Sequence, residues 1–121
     1  MLQLVLGTAL ALVQPSPSPS PQLSPAQLRA LLRDPSVVLI NVHVPFQGAV
    51  PGTDAFIPFD RILGDPRLPT DRNARIVLYC RSGTMSTVAL RSLQGAGYRQ
   101  VRELRGGMNA WTAAGYSLRG R

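Results

Sequence analysis

The sequence predicts a single α/β domain in which helices flank a mainly parallel central sheet. Residues 37–42 form a nearly continuous apolar run, which is typical of a central parallel strand buried on both faces. An apolar run at 75–79 and a further predicted strand at 101–104 are each followed by a segment with helical spacing of apolar residues. Alternating strands and helices indicate a layered α/β sandwich. A chain of 121 residues is long enough for one such core.

The first half of the domain is predicted to begin with a helix. Ser24 is a good N-cap residue and Pro25 suits the first helical position, so we expect this helix to continue to Leu32. The strand at 37–42 comes next. Glycines and prolines interrupt residues 46–58 and indicate an irregular loop. Residues 60–63 are then predicted to form one helical turn.

The second half contains the other two strands, each with its helix. The strand at 75–79 leads through a short loop to a helix over 85–94, and the strand at 101–104 leads to a short helix over 108–114. In open α/β sheets, functional sites lie at the carboxyl ends of the strands. The loop that follows residue 79 is therefore the first place to look for chemistry.

That loop begins with Cys80, the only cysteine of the chain. A thiolate is stabilised at a helix N-terminus and beside a cation such as Arg81. Gly83 can adopt positive φ, which lets successive N–H groups turn inward and bind an anion. The alternative is that Cys80 is only a small buried apolar residue closing a strand, but the small and polar residues after it make an anionic sulfur site the better interpretation.

Three segments, in this order and spacing, resemble the rhodanese-like sulfurtransferases. They match the first core strand with its Ile-Pro region, the active-site loop, and the closing strand with its Gly-Gly turn and Trp-bearing helix. The corresponding residues are Val37–His43 with Val50–Gly52 and Ile57-Pro58, Tyr79–Ser86, and Val101–Trp111 with Gly115-Tyr116. The resemblance covers about residues 24–118 and implies a rhodanese-like three-layer sandwich.

The resemblance implies a thiosulfate sulfurtransferase-like enzyme with Cys80 as the catalytic nucleophile. Sulfane sulfur would pass from a small anionic donor such as thiosulfate to a thiol or cyanide acceptor through a Cys80 persulfide. The substrate-binding residues would be Arg81, Ser82, Gly83, Thr84, Met85 and Ser86. No metal and no organic cofactor is implied. The alternative is a non-catalytic module that binds an anion or an acidic partner.

The chain departs from the family pattern at two places. Members commonly read Asp-Val-Arg where this chain has Asn41-Val42-His43, and many carry Arg where it has Met85. We expect His43 to be a packing or pocket-wall residue rather than a general base. Cysteine-dependent phosphatases need an Arg six residues after the cysteine to clamp phosphate; that position is Ser86, so phosphatase activity is not predicted.

The composition limits the kinds of partner and ligand that we expect. The formal net charge is +7, the pI is about 11.3, and all thirteen basic residues are Arg. This charge would attract anionic substrates or partners, although most arginines are expected simply to be solvated. No dense basic run or aromatic interleaving indicates nucleic-acid binding. One cysteine and one histidine are too few for a disulfide or a zinc site, and no second cysteine could resolve a persulfide within the chain.

The N-terminal part is predicted to be a separate unit. Residues 1–13 are apolar but too short to span a bilayer comfortably, and Ala9-Leu10-Ala11 fits a signal-peptide cleavage pattern. Residues 14–23 form a Pro/Ser-rich linker, and the domain occupies 24–118. We therefore expect an extracytoplasmic protein, either periplasmic or secreted; the alternative is a cytoplasmic protein with a flexible or helical N-terminus.

Two further features are predicted to be structural. Trp111 lies at helical spacing from Met108 and is expected in the core. Gly106-Gly107 indicates a turn with unusual φ/ψ angles rather than a phosphate-binding loop.

Overall fold

The computed structural model describes residues 20–120 and has the predicted α/β architecture. All strands of its five-stranded sheet are parallel, in the order β1-β5-β4-β2-β3. The strands are β1 (Gln22–Leu23), β2 (Val37–Asn41), β3 (Ala55–Phe56), β4 (Arg75–Tyr79) and β5 (Val101–Leu104). The helices are α1 (Pro25–Leu31), α2 (Thr84–Gly95) and α3 (Gly107–Ala113). The predicted export signal (1–13) and most of the predicted linker (14–19) lie outside the described residues.

Helices lie on both faces of the sheet, so the domain has three layers. Successive side chains of a strand point to opposite faces. Leu78 of β4 packs with Leu90 of α2 in one apolar cluster. The neighbouring Val77 packs with Leu28 of α1 and Trp111 of α3 in the other. The predicted three-layer fold and the core position of Trp111 are confirmed.

The helix starts follow local sequence chemistry. Ser24 caps α1 through a capping box, in which its hydroxyl accepts from the Gln27 N–H and the Gln27 side chain accepts from the Ser24 N–H. The residues preceding α2 and α3 are Gly83 and Gly106, with φ of 113° and 74°. The predicted cap at Ser24 and the unusual backbone at both glycine sites are confirmed.

The structure differs from the sequence predictions at three places. β1 lies within the predicted linker 14–23, and β3 lies within the predicted irregular loop. Both are two-residue strands, too short for any hydrophobic periodicity, and both form because a neighbouring strand supplies partners. The helical turn predicted at 60–63 is wrong, since these residues form non-helical turns.

The chain after residue 118 also contacts the rest of the domain. Arg119 forms an antiparallel bridge with Ala49, which ties the C-terminal segment to the loop after β2. Within the described part of the chain, no helix has the length and apolar character needed to cross a membrane.

Candidate active site

Cys80 follows β4 directly and is 1% exposed. Its sulfur accepts hydrogen bonds from the N–H groups of Gly83, at 3.0 Å, and of Ser86, at 3.4 Å. Both donors belong to the start of α2, where N–H groups have no partner within the helix and the helix dipole favours negative charge. The sulfur therefore lies where an anion is stabilised.

Other N–H groups of the loop face no protein acceptor. Among the described residues, none of the hydrogen bonds uses the N–H of Arg81, Ser82, Thr84 or Met85. The side chains of Ser82 and Thr84 are exposed, whereas Met85 packs against the apolar cluster that contains Cys80. These N–H groups are available to a ligand held outside the sulfur.

The Arg81 side chain does not contact the sulfur in the described hydrogen-bond network. It is exposed, and its Nη1 donates to Gln47 Oε1 at 3.2 Å. Both side chains line a cleft of about 390 Å³ beside the loop, together with Phe46, Asn109 and Leu118 among others. Arg81 is thus a cation at the rim of the site. A separate cavity at the other end of the strands, lined by Arg75 and Arg99, does not include the loop.

Gly107 allows α3 to pack closely against the loop that carries Cys80. The Met108 N–H donates to the Cys80 carbonyl at 2.9 Å, and the Asn109 N–H donates to the Arg81 carbonyl at 3.0 Å. A Cβ on Gly107 would lie 2.3 Å from the Cys80 carbonyl oxygen. α3 can approach the loop this closely only because residue 107 has no side chain.

A polar cluster lies next to the sulfur, formed by the buried Ser86 and Glu103 and the partly buried Thr87. Ser86 Oγ is 2.7 Å from Glu103 Oε1 and 3.6 Å from Cys80 Sγ. Thr87 Oγ1 lies 3.1 Å from Glu103 Oε1 and 2.8 Å from the Gly83 carbonyl oxygen. The sequence prediction includes Ser86 but misses Glu103. Its strand reads Val-Arg-Glu-Leu, so nothing in the sequence distinguishes the buried Glu103 from the neighbouring, more exposed Arg102.

The family departure at Asn41 has a structural role. The Asn41 amide donates to the Gly48 carbonyl at 3.0 Å and its Oδ1 accepts from the His43 N–H. A carboxylate could not donate to Gly48. His43 Nδ1 lies 2.6 Å from the Pro45 carbonyl oxygen, an acceptor, so this nitrogen is the donor. The His43 side chain is buried and its contact is with its own loop. It makes no described hydrogen bond with Cys80, as expected of a packing residue.

Solved structures share this fold. The chain superposes on the rhodanese-like domain of an Anabaena protein with a TM-score of 0.73 at 24% identity, covering 84% of this chain and 80% of that one. It superposes on a thiosulfate sulfurtransferase from Pseudomonas aeruginosa with a TM-score of 0.68 at 27% identity, covering 82% of this chain but 20% of that one.

Sequence relatives give the same result. A sulfurtransferase of Allochromatium vinosum is 38% identical over 87 residues, which cover 68% of this chain and 78% of that protein. An uncharacterised protein of Synechocystis is 35% identical over 95 residues, and the chain spans about half of its length (77% of this chain, 52% of that protein). The family model of the rhodanese-like domain matches residues 24–114. The chain belongs to the rhodanese-like domain family.

Proposed function

We propose that the protein is a sulfurtransferase that carries sulfane sulfur on Cys80. The observation that supports this most is the hydrogen bonding of the sulfur, which accepts from two N–H groups at the start of α2. Further N–H groups of the same loop are without protein acceptors and could bind the outer sulfur of a persulfide. In addition, the relative of this protein in Allochromatium vinosum is named a sulfurtransferase.

With thiosulfate as donor, the reaction has two half-reactions. The Cys80 thiolate attacks the outer sulfur of thiosulfate; a new S–S bond forms, the S–S bond of thiosulfate breaks, and sulfite leaves with its electron pair. Cyanide or a thiolate then attacks the outer sulfur of the persulfide and releases the Cys80 thiolate. A covalent intermediate of this kind predicts ping-pong kinetics. Arg81, at the rim, is suited to the anionic end of the donor.

Intact-mass spectrometry tests the proposal. After incubation with thiosulfate, the protein should gain the mass of one sulfur atom, and cyanide should remove it. Cys80→Ser, the matched variant with the smallest change, should form no adduct and lose the thiosulfate:cyanide activity while keeping its melting temperature. Substantial activity in the folded variant would contradict the assignment of Cys80.

The alternative is a binding module without sulfur transfer. Its support is that the same N–H groups could hold any small anion. If thiosulfate, polysulfide and low-molecular-weight persulfides all leave the mass unchanged while Cys80 still reacts with iodoacetamide, the module becomes the better interpretation.

A further inference from the structure

The cleft beside the Cys80 loop is larger than an inorganic sulfur substrate requires. Its volume of about 390 Å³ falls in the range of about 300–1,000 Å³ that is usual for sites of small organic molecules. A water molecule takes up about 30 Å³, so the cleft has room for about a dozen water-sized groups. Thiosulfate and cyanide are much smaller than that. The volume therefore favours an organic ligand.

The walls of the cleft come from two separate segments of the chain. α3 contributes Asn109 and Thr112, which stand at positions i and i+3 and so lie on the same side of the helix. The C-terminal segment contributes Leu118 and Gly120. Its bridge to the loop after β2, described above, holds this second wall in place. The cleft is thus formed before any ligand binds.

Phe46 supplies the aromatic surface of the cleft. Its side chain is 49% exposed, yet its ring packs edge-on against Phe56, with ring centroids 5.5 Å apart. A Cβ added to Gly120 would lie 3.1 Å from Phe46 Cζ, so the C-terminal segment also packs against the ring. A ring that is held in place but still accessible offers apolar contact to a ligand at a small cost in side-chain entropy.

The polar groups of the cleft suit a carboxylate. Arg81 is the one charged side chain among the described residues that line it. Its Nη1 donates to Gln47 Oε1, and the guanidinium has further N–H donors. The side-chain amide of Asn109 makes no hydrogen bond within the described part of the chain, although the Asn109 backbone does. Arg is well matched to a carboxylate, which accepts charge-assisted hydrogen bonds.

We propose that this cleft binds the sulfur acceptor, and that the acceptor is a small organic thiol with a carboxylate. The inference rests on the proposed function, in which the outer sulfur of the Cys80 persulfide must leave to a second molecule. The carboxylate pairs with Arg81, the organic part lies against Phe46, and the thiol reaches the Cys80 loop.

The transfer step balances without an oxidant or a reductant. The acceptor gives its thiol proton to solvent, and its sulfur attacks the outer sulfur of the persulfide. A new S–S bond forms, the S–S bond to Cys80 breaks, and the Cys80 sulfur keeps the electron pair. The acceptor leaves as a persulfide. Because sulfite has left before the acceptor binds, Arg81 can serve the two half-reactions in turn.

Single-turnover transfer from the thiosulfate-loaded protein tests the proposal. The acceptors are N-acetylcysteine and N-acetylcysteine amide, which differ only in the carboxylate, and each rate is divided by the rate of that thiol with a neutral disulfide. The wild type should prefer N-acetylcysteine at least about tenfold, because a charge-assisted contact is worth that much. Arg81→Gln should lose most of this preference.

Phe46→Ala tests the apolar contact. It should raise the half-saturating concentration of N-acetylcysteine about three- to tenfold through lost apolar burial, and that of cyanide much less. Leu63→Ala is the matched control, since Leu63 is 51% exposed and lies outside the cleft; it should change neither value. Equal corrected rates for the two thiols in the wild type, or an equal effect of Phe46→Ala on cyanide, would overturn the proposal and favour a protein thiol as acceptor.

A binding measurement separates this inference from the proposed function. S-methyl-N-acetylcysteine keeps the carboxylate but cannot accept sulfur, and its titration into the wild type can be followed by NMR at the side-chain amide of Asn109. We expect a saturable shift that is weaker with the corresponding amide and weaker in Phe46→Ala. If no donor forms a persulfide, the proposed function fails, and this shift still assigns the ligand class to the cleft. Absence of the shift would overturn the inference even if Cys80 transfers sulfur.

Discussion

Replacing Gly107 with alanine should separate α3 from the loop that carries Cys80. Residue 107 has a φ of +58°, and its ideal Cβ would lie 2.3 Å from the Cys80 carbonyl oxygen and 2.6 Å from the Arg81 carbonyl carbon. Both are backbone atoms, which cannot rotate away as a flexible side chain can. The added methyl group must therefore shift the helix, the loop or both.

Two costs add up in this variant. A left-handed backbone costs a residue with a side chain about 1–2 kcal/mol, and overpacking costs about 1–3 kcal/mol, which gives about 2–5 kcal/mol of unfolding free energy. For a domain of this size, that corresponds to a melting temperature lower by about 8–20 °C. The shift also weakens the bonds from Met108 and Asn109 to the loop carbonyls, so the persulfide yield should fall.

Thermal denaturation followed by circular dichroism can separate these costs with two control glycines. Gly97→Ala has the unusual φ of +93° but open space around its Cβ, so it should lose only about 1–2 kcal/mol. Gly95→Ala lies in α2 with open space and no positive φ, and should gain about 0.5–1 kcal/mol. If Gly107→Ala loses no more unfolding free energy than Gly97→Ala, the close approach of α3 to the loop is not the reason that residue 107 must be glycine.

Two further predictions concern Tyr79 and Arg81. Burial raises the pKa of Tyr79 above its ordinary value of 10.0, and its hydroxyl accepts from the buried Val50 N–H at 3.0 Å. Tyr79→Phe should cost about 1–3 kcal/mol in urea unfolding at pH 7, whereas Tyr116→Phe, whose hydroxyl makes no hydrogen bond among the described residues, should cost much less. As the pH rises, the Tyr79 phenol ionises first in the unfolded state, where its pKa is lower. The wild type should therefore lose stability above about pH 10, up to the folded pKa. The same loss in Tyr79→Phe would contradict this linkage. Arg81→Ala should lower kcat/KM for thiosulfate about tenfold, because a charge-assisted contact with the donor is lost. Arg99→Ala, at the other end of the sheet, should leave kcat/KM unchanged. Equal kcat/KM values for the two variants would show that the charge of Arg81 at the rim of the site does not bind the donor.

The sequence alone was sufficient wherever the determinants were local. β2 and β4 were predictable because central parallel strands must be apolar on both faces. The α1 cap at Ser24 depends only on residues within one turn. The position of Cys80 between β4 and α2 follows from chain order, and the positive φ of Gly83 from the lack of a side chain.

Only the tertiary structure decided what depends on long-range packing. β1 and β3 are strands because β5 and β2 provide their hydrogen-bond partners. A two-residue sequence pattern cannot predict such a pairing. Arg81 is adjacent to Cys80 in sequence, yet its long side chain reaches Gln47, 34 residues earlier. Glu103 is 17 residues from Ser86 and meets it only because α2 packs on β5. Sequence order therefore determined that Cys80 lies between a strand and a helix, while the packing of distant elements determined which side chains surround it.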